Sequence, residues 1–308
     1  MRHLIAIRDL EREEIEEILE KAAYYKQRGA EMDSLLRGRF VAELFLEPST
    51  RTRFSFEVAA KRLGAEVLHF DGQVSSLTKG ESYEDTLRTL EALGVEIAII
   101  RTAENDFFRN VEGKTNLALV NAGAGTWEHP TQALLDLFTL REHFGSLRGL
   151  TVGMIGDLAF SRVVGSHMHL LPKFGIHLLL AGAPGMTERK EDPYPPTVKL
   201  CGIEEVIREA DVVILLRIQR ERHREEASFS KEEYLQKYGL TVHRAQGMKP
   251  HAMIMHPAPV NRDVELESSL VDSPRSLIFR QVENGVYTRM AVLQTVWEGK
   301  KNVQLAHS

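Results

Sequence analysis

Phe40-Val-Ala-Glu-Leu-Phe-Leu46 runs directly into Glu47-Pro-Ser-Thr-Arg-Thr-Arg-Phe-Ser-Phe-Glu57. The first piece is an apolar run of strand length, and the second turns from small hydroxyl residues into a helix-forming pattern. A strand, a hydroxyl-rich turn and a helix amino end together make an oxyanion cradle. Amides at a helix start have no partner within the helix. Ser49, Thr50 and Thr52 add hydroxyl donors, and the Arg51 guanidinium can fork onto phosphate oxygens. The expected ligand group is a phosphate; read alone, the same Ser-Thr pair could simply cap the helix.

Outward from this stretch, strand and helix patterns alternate in two runs, the signature of parallel sheets covered by helices. The first run has strands near 40–46, 65–70, 96–101 and 117–121, with helices around 53–64 and 82–94. The second has strands near 151–155, 176–181, 211–216 and 252–256, with helices around 161–174, 203–210 and 231–238. Pro130 to His143 has apolar residues at 134, 135, 137, 138 and 140, a face suited to a helix bridging two domains, with Pro130 in its first turn and Gly145 at its exit. A proline- and glycine-marked segment at about 182–197 reads as irregular, Arg217 to Ser230 reads as a solvated loop or helix face, and about 288–303 reads as helix. The expected fold class is α/β: two domains, each a parallel β-sheet flanked by helices, linked by bridging helices.

A chain of 308 residues exceeds what one core comfortably serves, which supports two domains. A formal net charge of −5 without a basic stripe argues against a nucleic-acid partner, so any anion must be caught by a local cluster. No apolar run approaches the ~20 residues that cross a bilayer, and the acidic helix pattern beginning at Asp9 leaves no secretory signal, so the cytoplasm is the expected location. The single cysteine, Cys201, excludes an internal disulfide and a cysteine-based zinc cage. No phosphate-binding P-loop, complete dinucleotide loop or nucleophile elbow occurs, so no metal, no cofactor and direct group transfer are expected.

Further residues converge on anion chemistry. Arg101 closes the strand Glu96-Ile-Ala-Ile-Ile-Arg101, a strand end where open parallel sheets bind ligands. His129 and Gln132, three apart at a helix start, share one face; the imidazole can meet a carbonyl oxygen that gains charge, and the glutamine can accept from an amide NH2. Arg162 follows the strand Thr151–Ile155, and Arg217 and Gln219 follow Asp211–Leu216. Two arginines at two strand ends suit a ligand with two carboxylates. The His256-Pro-Ala-Pro259 turn presents backbone carbonyls while its prolines remove donors. Lys79, after the irregular piece Ser75-Ser-Leu-Thr78, would ordinarily be a solvated surface lysine.

Ser49-Thr-Arg-Thr-Arg53, Lys79-Gly-Glu81, His129-Pro-Thr-Gln132, Leu216-Arg-Ile-Gln-Arg-Glu-Arg222 and His256-Pro-Ala-Pro-Val-Asn-Arg262, in this order and spacing, resemble the catalytic chain of the aspartate carbamoyltransferases, within the aspartate/ornithine carbamoyltransferase superfamily. The resemblance covers nearly the whole chain. It implies transfer of a carbamoyl group from carbamoyl phosphate to L-aspartate, an early step of pyrimidine biosynthesis. It assigns Arg51, Thr52, Lys79, Arg101 and His129 to catalysis. Carbamoyl phosphate would be held by Ser49, Thr50, Arg51, Thr52, Ser75, Lys79, Arg101, His129, Gln132, Ala258 and Pro259, and aspartate by Lys79, Arg162, Arg217 and Gln219. It also implies a carbamoyl phosphate-binding domain at 1–132, completed by a returning C-terminal helix at 288–308, and an aspartate-binding domain at 133–287. Ser75 and Lys79 would reach a neighbour's site in a homotrimer, and a regulatory chain or pathway enzyme is a further candidate partner.

Two rival readings stand beside this one. Ornithine carbamoyltransferases share the phosphate half but typically carry His-Cys-Leu-Pro where this chain has His-Pro-Ala-Pro. A weakened or inactive carbamoyltransferase-like partner subunit is the other, because five positions depart from the usual pattern: Thr102, Ala124, Glu128, Ala159 and Phe160. An anionic Glu128 beside His129 is expected to oppose the positive field of the site, so altered turnover is expected before loss of turnover.

Overall fold

The computed structural model describes residues 1–29, 31, 33–70, 80–190, 192–219 and 229–307. The chain forms two compact units, Met1–Phe138 with Val282–Ser308, and Thr139–Gln281. The divisions at 138/139 and 281/282 fall inside helices, a few residues from the sequence-based boundaries at 132/133 and 287/288.

In the first unit β1 (Phe40–Phe45), β2 (Glu66–Phe70), β3 (Val95–Thr102) and β4 (Ala118–Ala124) form a parallel sheet in the order β2-β1-β3-β4. Ile97, Ala98, Ile99 and Ile100 are all fully buried, as expected of a parallel strand covered on both faces. Burial of each such large side chain contributes about 1.5–3 kcal/mol. The covering helices are α1 (Arg12–Arg28), α2 (Thr50–Arg62), α3 (Tyr83–Ala92) and α4 (Phe107–Val111), with the start of α5 (Pro130–Phe144). Ser82 caps α3 by accepting from the Asp85 amide.

In the second unit β5 (Thr151–Ile155), β6 (His177–Ala181), β7 (Val198–Leu200), β8 (Val212–Leu215) and β9 (Met253–Met255) are again parallel, in the order β7-β6-β5-β8-β9. α6 (Arg162–Leu170) starts on the Ser161 hydroxyl and tightens into a 3-10 turn at Leu171–Phe174, where Pro172 removes a ladder donor. α7 (Ile203–Glu209), α8 (Lys231–Tyr238), α9 (Val242–Ala245) and α10 (Ser268–Val271) complete the unit. α11 (Ile278–His307) begins earlier than the expected helix at about 288. Gly285 obscures that start in the sequence, yet it serves a packing need: a Cβ there would lie 2.6 Å from Nη1 of Arg289.

Each sheet reverses direction once, the first after β2 and the second after β7. The chain passes from β1 out to β2 and back across to β3, and from β5 out through β6 and β7 and back across to β8. The crevices at the carboxyl ends of the β1/β3 and β5/β8 pairs are therefore topological switch points, where open α/β sheets bind ligands.

Candidate functional site

The β1/β3 switch point is lined by cations and by helix-start amides that precede the hydrogen-bond ladder of α2. Ser49 is the extended N-cap of α2, with its hydroxyl not used for capping. The α2 ladder starts with Arg53 N–H on the Ser49 carbonyl at 3.2 Å, so the amides of Thr50, Arg51 and Thr52 precede it. Thr52 is buried, while Thr50 and Arg51 are exposed. Desolvation draws Arg51 below the ordinary arginine pKa, a direction that an arriving dianion reverses.

Arg101 reaches the same loop because of strand register. Arg101 pairs with Phe45, and the Leu46 amide donates to the Arg101 carbonyl at 2.9 Å. Its guanidinium donates from Nη1 to the Ala122 carbonyl at 3.3 Å, and Nε lies 3.8 Å from Glu47. Only 14% of its side-chain surface is exposed, so the cation is fixed in place beside the amino end of α2.

His129 and Gln132 are both buried at the start of α5, with the His129 carbonyl accepting from the Gln132 amide at 3.1 Å. The Gln132 side-chain amide donates to Asp136 Oδ1 at 2.9 Å. The expectation about Glu128 requires correction. Its carboxylate is fully buried and accepts from the Ile7 amide at 2.7 Å and from Arg8 Nε at 3.0 Å, and Arg8 also lies over the Trp127 ring. Paired with a cation and a backbone donor, Glu128 does not stand as an uncompensated anion against His129.

Two other departures in this unit are also absorbed locally. Thr102 is buried and its hydroxyl accepts from the Glu104 amide at 3.1 Å, while Ala124 is buried in β4 and pairs with Glu128.

In the second unit the β5/β8 switch point carries Arg162, Arg217 and Gln219. Gly156 closes β5 at φ 141, a conformation that favours glycine, and a Cβ there would meet the Leu216 carbonyl oxygen at 2.6 Å. This close approach brings the β5 and β8 exits together. Buried Asp157 accepts from the Gln219 amide at 3.1 Å, and the Gln219 side chain donates to the Phe160 carbonyl at 3.0 Å. Ala159 donates its amide to the Met186 carbonyl at 3.0 Å. The Ala159 amide and the Phe160 carbonyl supply these two bonds, so neither bond depends on the side chain that departs from the usual pattern. Arg162 opens α6 and Arg217 follows β8, both half-buried.

The 256–259 turn is held from behind. His256 Nδ1 accepts from the Ala258 amide at 2.7 Å, which leaves Nε2–H to donate to Glu265 at 3.0 Å. Ala258 has φ 53 and a cis bond to the exposed Pro259.

Ser75, Lys79 and the Arg220–Arg222 end of the motif that follows β8 lie outside the described residues. Sequence reasoning missed the supporting side chains Asp136, Asp157, Glu265 and Arg289. Only Asp136, one helical turn beyond Gln132, carried a readable signal.

A possible cation cluster stands apart from these loops: Glu43, Glu57 and His69 offer ligand atoms within 4.8 Å of one another. His69 lies 3.2 Å from Glu43 and 3.5 Å from Glu57, and Lys61 already pairs with Glu57 at 2.7 Å. Lys61 would therefore compete with any cation for the Glu57 carboxylate.

Residues 2–142 match the aspartate/ornithine carbamoyltransferase carbamoyl-P binding domain, and residues 148–296 match the Asp/Orn binding domain of the same family. The aspartate carbamoyltransferase catalytic subunit of Listeria innocua is 45% identical over 296 residues, 96% of each chain. That of Listeria welshimeri is 43% identical over 300 residues, 97% of each chain. Aspartate transcarbamoylase from Trypanosoma cruzi superposes with a TM-score of 0.86 in its carbamoyl phosphate complex, at 31% identity and 95% coverage of each chain. Its complex with N-(phosphonacetyl)-L-aspartic acid gives 0.84 at 31% identity, over 95% of this chain and 94% of that one. With both family domains matched in order along one chain and its catalytic-subunit relatives aligned nearly end to end, the chain belongs to the aspartate/ornithine carbamoyltransferase family.

Proposed function

We propose that this protein transfers the carbamoyl group of carbamoyl phosphate to the amino group of L-aspartate, giving N-carbamoyl-L-aspartate and phosphate, an early step of pyrimidine biosynthesis. The observation that carries this reading is the pair of cation-bearing switch points: Arg51 and Arg101 beside the α2 amino end on one sheet, and Arg162 and Arg217 on the other.

Carbamoyl phosphate takes the first of these, its phosphate on Ser49, Thr50, Arg51 and Thr52, and its carbamoyl NH2 on Gln132. Aspartate takes the second through its two carboxylates on Arg162 and Arg217, with Gln219 shaping the turn. The neutral aspartate amine attacks the carbamoyl carbon and forms the N–C bond. Negative charge gathers on the carbamoyl oxygen, where Thr52, Arg101 and His129 stabilise it. The carbon–oxygen bond to phosphate then breaks, a phosphate oxygen takes the amine proton, and Arg51 and Lys79 hold the departing dianion. The Ala258 and Pro259 carbonyls accept from the reacting amino groups. Fixing both substrates in line contributes through orientation. No protein base is needed.

Two arginines favour a dicarboxylate over ornithine, whose side chain is a cation. The pairing of Glu128 with Arg8 and Ile7 removes the main electrostatic reason for an inactive subunit. We assign Ser75 and Lys79 to a neighbour's site within a homotrimer, and the protein to the cytoplasm. The test is phosphate release and N-carbamoyl-aspartate formation with aspartate and ornithine as competing acceptors. Turnover with aspartate alone is expected, lowered about 10²–10³-fold in Arg51→Ala. Carbamoylated ornithine would overturn the acceptor assignment, and binding of carbamoyl phosphate without turnover would identify a non-catalytic subunit.

A further inference from the structure

Gln132 is chemically ambiguous in a way that Thr52 or Arg101 is not. Its side-chain amide presents an acceptor at one end and a donor at the other, in nearly the same shape. A glutamine free to rotate about its last torsion would greet an incoming NH2, a methyl or a hydroxyl with whichever end suited it. Carbamoyl phosphate and acetyl phosphate differ at that one group: the first offers an NH2 donor where the second has a methyl.

In this structure the choice is made from behind. Asp136 lies one turn further along α5, fully buried, with Oδ1 2.9 Å from the Gln132 side-chain nitrogen. An ionised carboxylate only accepts, so the NH2 end of Gln132 must face Asp136 and the oxygen is the end left for a ligand. Asp136 in turn is placed near Arg289 of α11, itself buried. The two attract one another while burial pulls Arg289 down to about 10. Arg289 donates from Nη1 to the Ser55 hydroxyl of α2 at 2.9 Å and lies over the Phe56 ring at 4.9 Å. Gly285, one turn earlier on α11, leaves the space that the guanidinium occupies. A buried cation thus ties the helix that would hold phosphate to the carboxylate that orients Gln132.

We propose that Asp136 is a positioning residue that fixes the acceptor end of Gln132 toward the ligand and so selects carbamoyl phosphate over other acyl phosphates. This rests on the reading above in which Gln132 meets the carbamoyl NH2. The phosphate cradle at α2 does not distinguish these ligands, because both are acyl phosphates that present the same terminal phosphoryl group. Discrimination comes from the buried acceptor, which an acetyl group leaves without a donor.

The experiment measures dissociation constants of carbamoyl phosphate, acetyl phosphate and inorganic phosphate for the wild-type chain, Asp136→Asn, Gln132→Ala and the double variant. Asp136→Asn keeps the shape but can donate, which lets Gln132 turn round. It is expected to weaken carbamoyl phosphate about tenfold while acetyl phosphate and phosphate move less than twofold. In the Gln132→Ala background the same change should leave the carbamoyl-to-acetyl ratio unaltered. Equal losses for all three ligands, or no loss, would reduce Asp136 to a structural role and overturn the proposal. A Gln132→Ala variant that retains the full preference for carbamoyl phosphate would instead refute the underlying contact, and the proposal with it. If Asp136→Asn does not fold, hydrogen exchange of the ¹⁵N-labelled Gln132 side-chain amide in the wild-type chain decides. Protection supports the Asp136 bond, and exchange at the rate of a free amide overturns it.

Discussion

Glu43 illustrates how one side chain can couple this fold to pH. It sits in β1 with its carboxyl fully shielded, and among the described residues no hydrogen bond reaches either oxygen. Burial first, and the neighbouring Glu57 second, push it from the usual 4.5 up to about 8, against the attraction of Arg53 and Lys61. His69 faces it at 3.2 Å and Arg53 at 3.7 Å. Because the folded-state value is raised, folding favours the protonated form. That contribution is complete below about pH 4.5 and is lost as pH rises through about 8. Glu43→Gln stays neutral throughout, so its melting temperature should match the wild type near pH 5 and exceed it by several degrees near pH 9. Thermal denaturation at the two pH values checks this, and a gap that does not widen with pH would show that His69 and Arg53 already compensate the anion.

At the scale of elements, β5, β8 and the turn between Ile155 and Arg162 depend on a contact that no local propensity encodes. Gly156 combines a positive φ with a close approach to the Leu216 carbonyl oxygen. Gly156→Ala adds a methyl that must displace backbone rather than a flexible side chain. We expect a loss of about 2–4 kcal/mol, read as an earlier urea midpoint with an unchanged slope. Weaker aspartate binding should accompany it, because Asp157 and Gln219 are positioned by the same turn. Most strands were legible as apolar runs between turn residues; β5 occupies the same residues in both readings. β7 was not legible, since Val198-Lys-Leu200 is short and mostly exposed, and it becomes a strand only by pairing with β6. The early start of α11 was hidden by Gly285, whose low helix propensity is outweighed by the packing of Arg289.

For the whole molecule, the strongest expectation concerns copies of the chain acting together. If Ser75 and Lys79 complete a neighbour's site, a variant lacking Lys79 and a variant lacking His129 are each damaged at different contributors to the same composite site. Lys79→Ala and His129→Ala homo-oligomers should each be nearly inactive. Mixed oligomers formed by dissociation and reassociation should regain a substantial fraction of wild-type turnover, because some interfaces then join two intact contributors. Activity in the mixture no higher than the sum of the parents would place Lys79 in its own chain's site.

The class of fold, the alternation of strand and helix, and the residue types at the carboxyl ends of strands are all written in the linear order of the chain. Those features follow from local patterning and from motif spacing, so they survive without coordinates. Ser49 to Thr52, Arg101, His129, Gln132, Arg162, Arg217 and Gln219 were named in this way. What those residues lean on emerges only when distant segments pack together. Glu128 and Arg8 are far apart in sequence, as are Asp157 and Gln219, and Arg289 and Ser55. Parallel strands and a terminal helix meet partners through long crossovers, and no periodicity within a segment records which distant side chain will neutralise a buried charge or orient an amide.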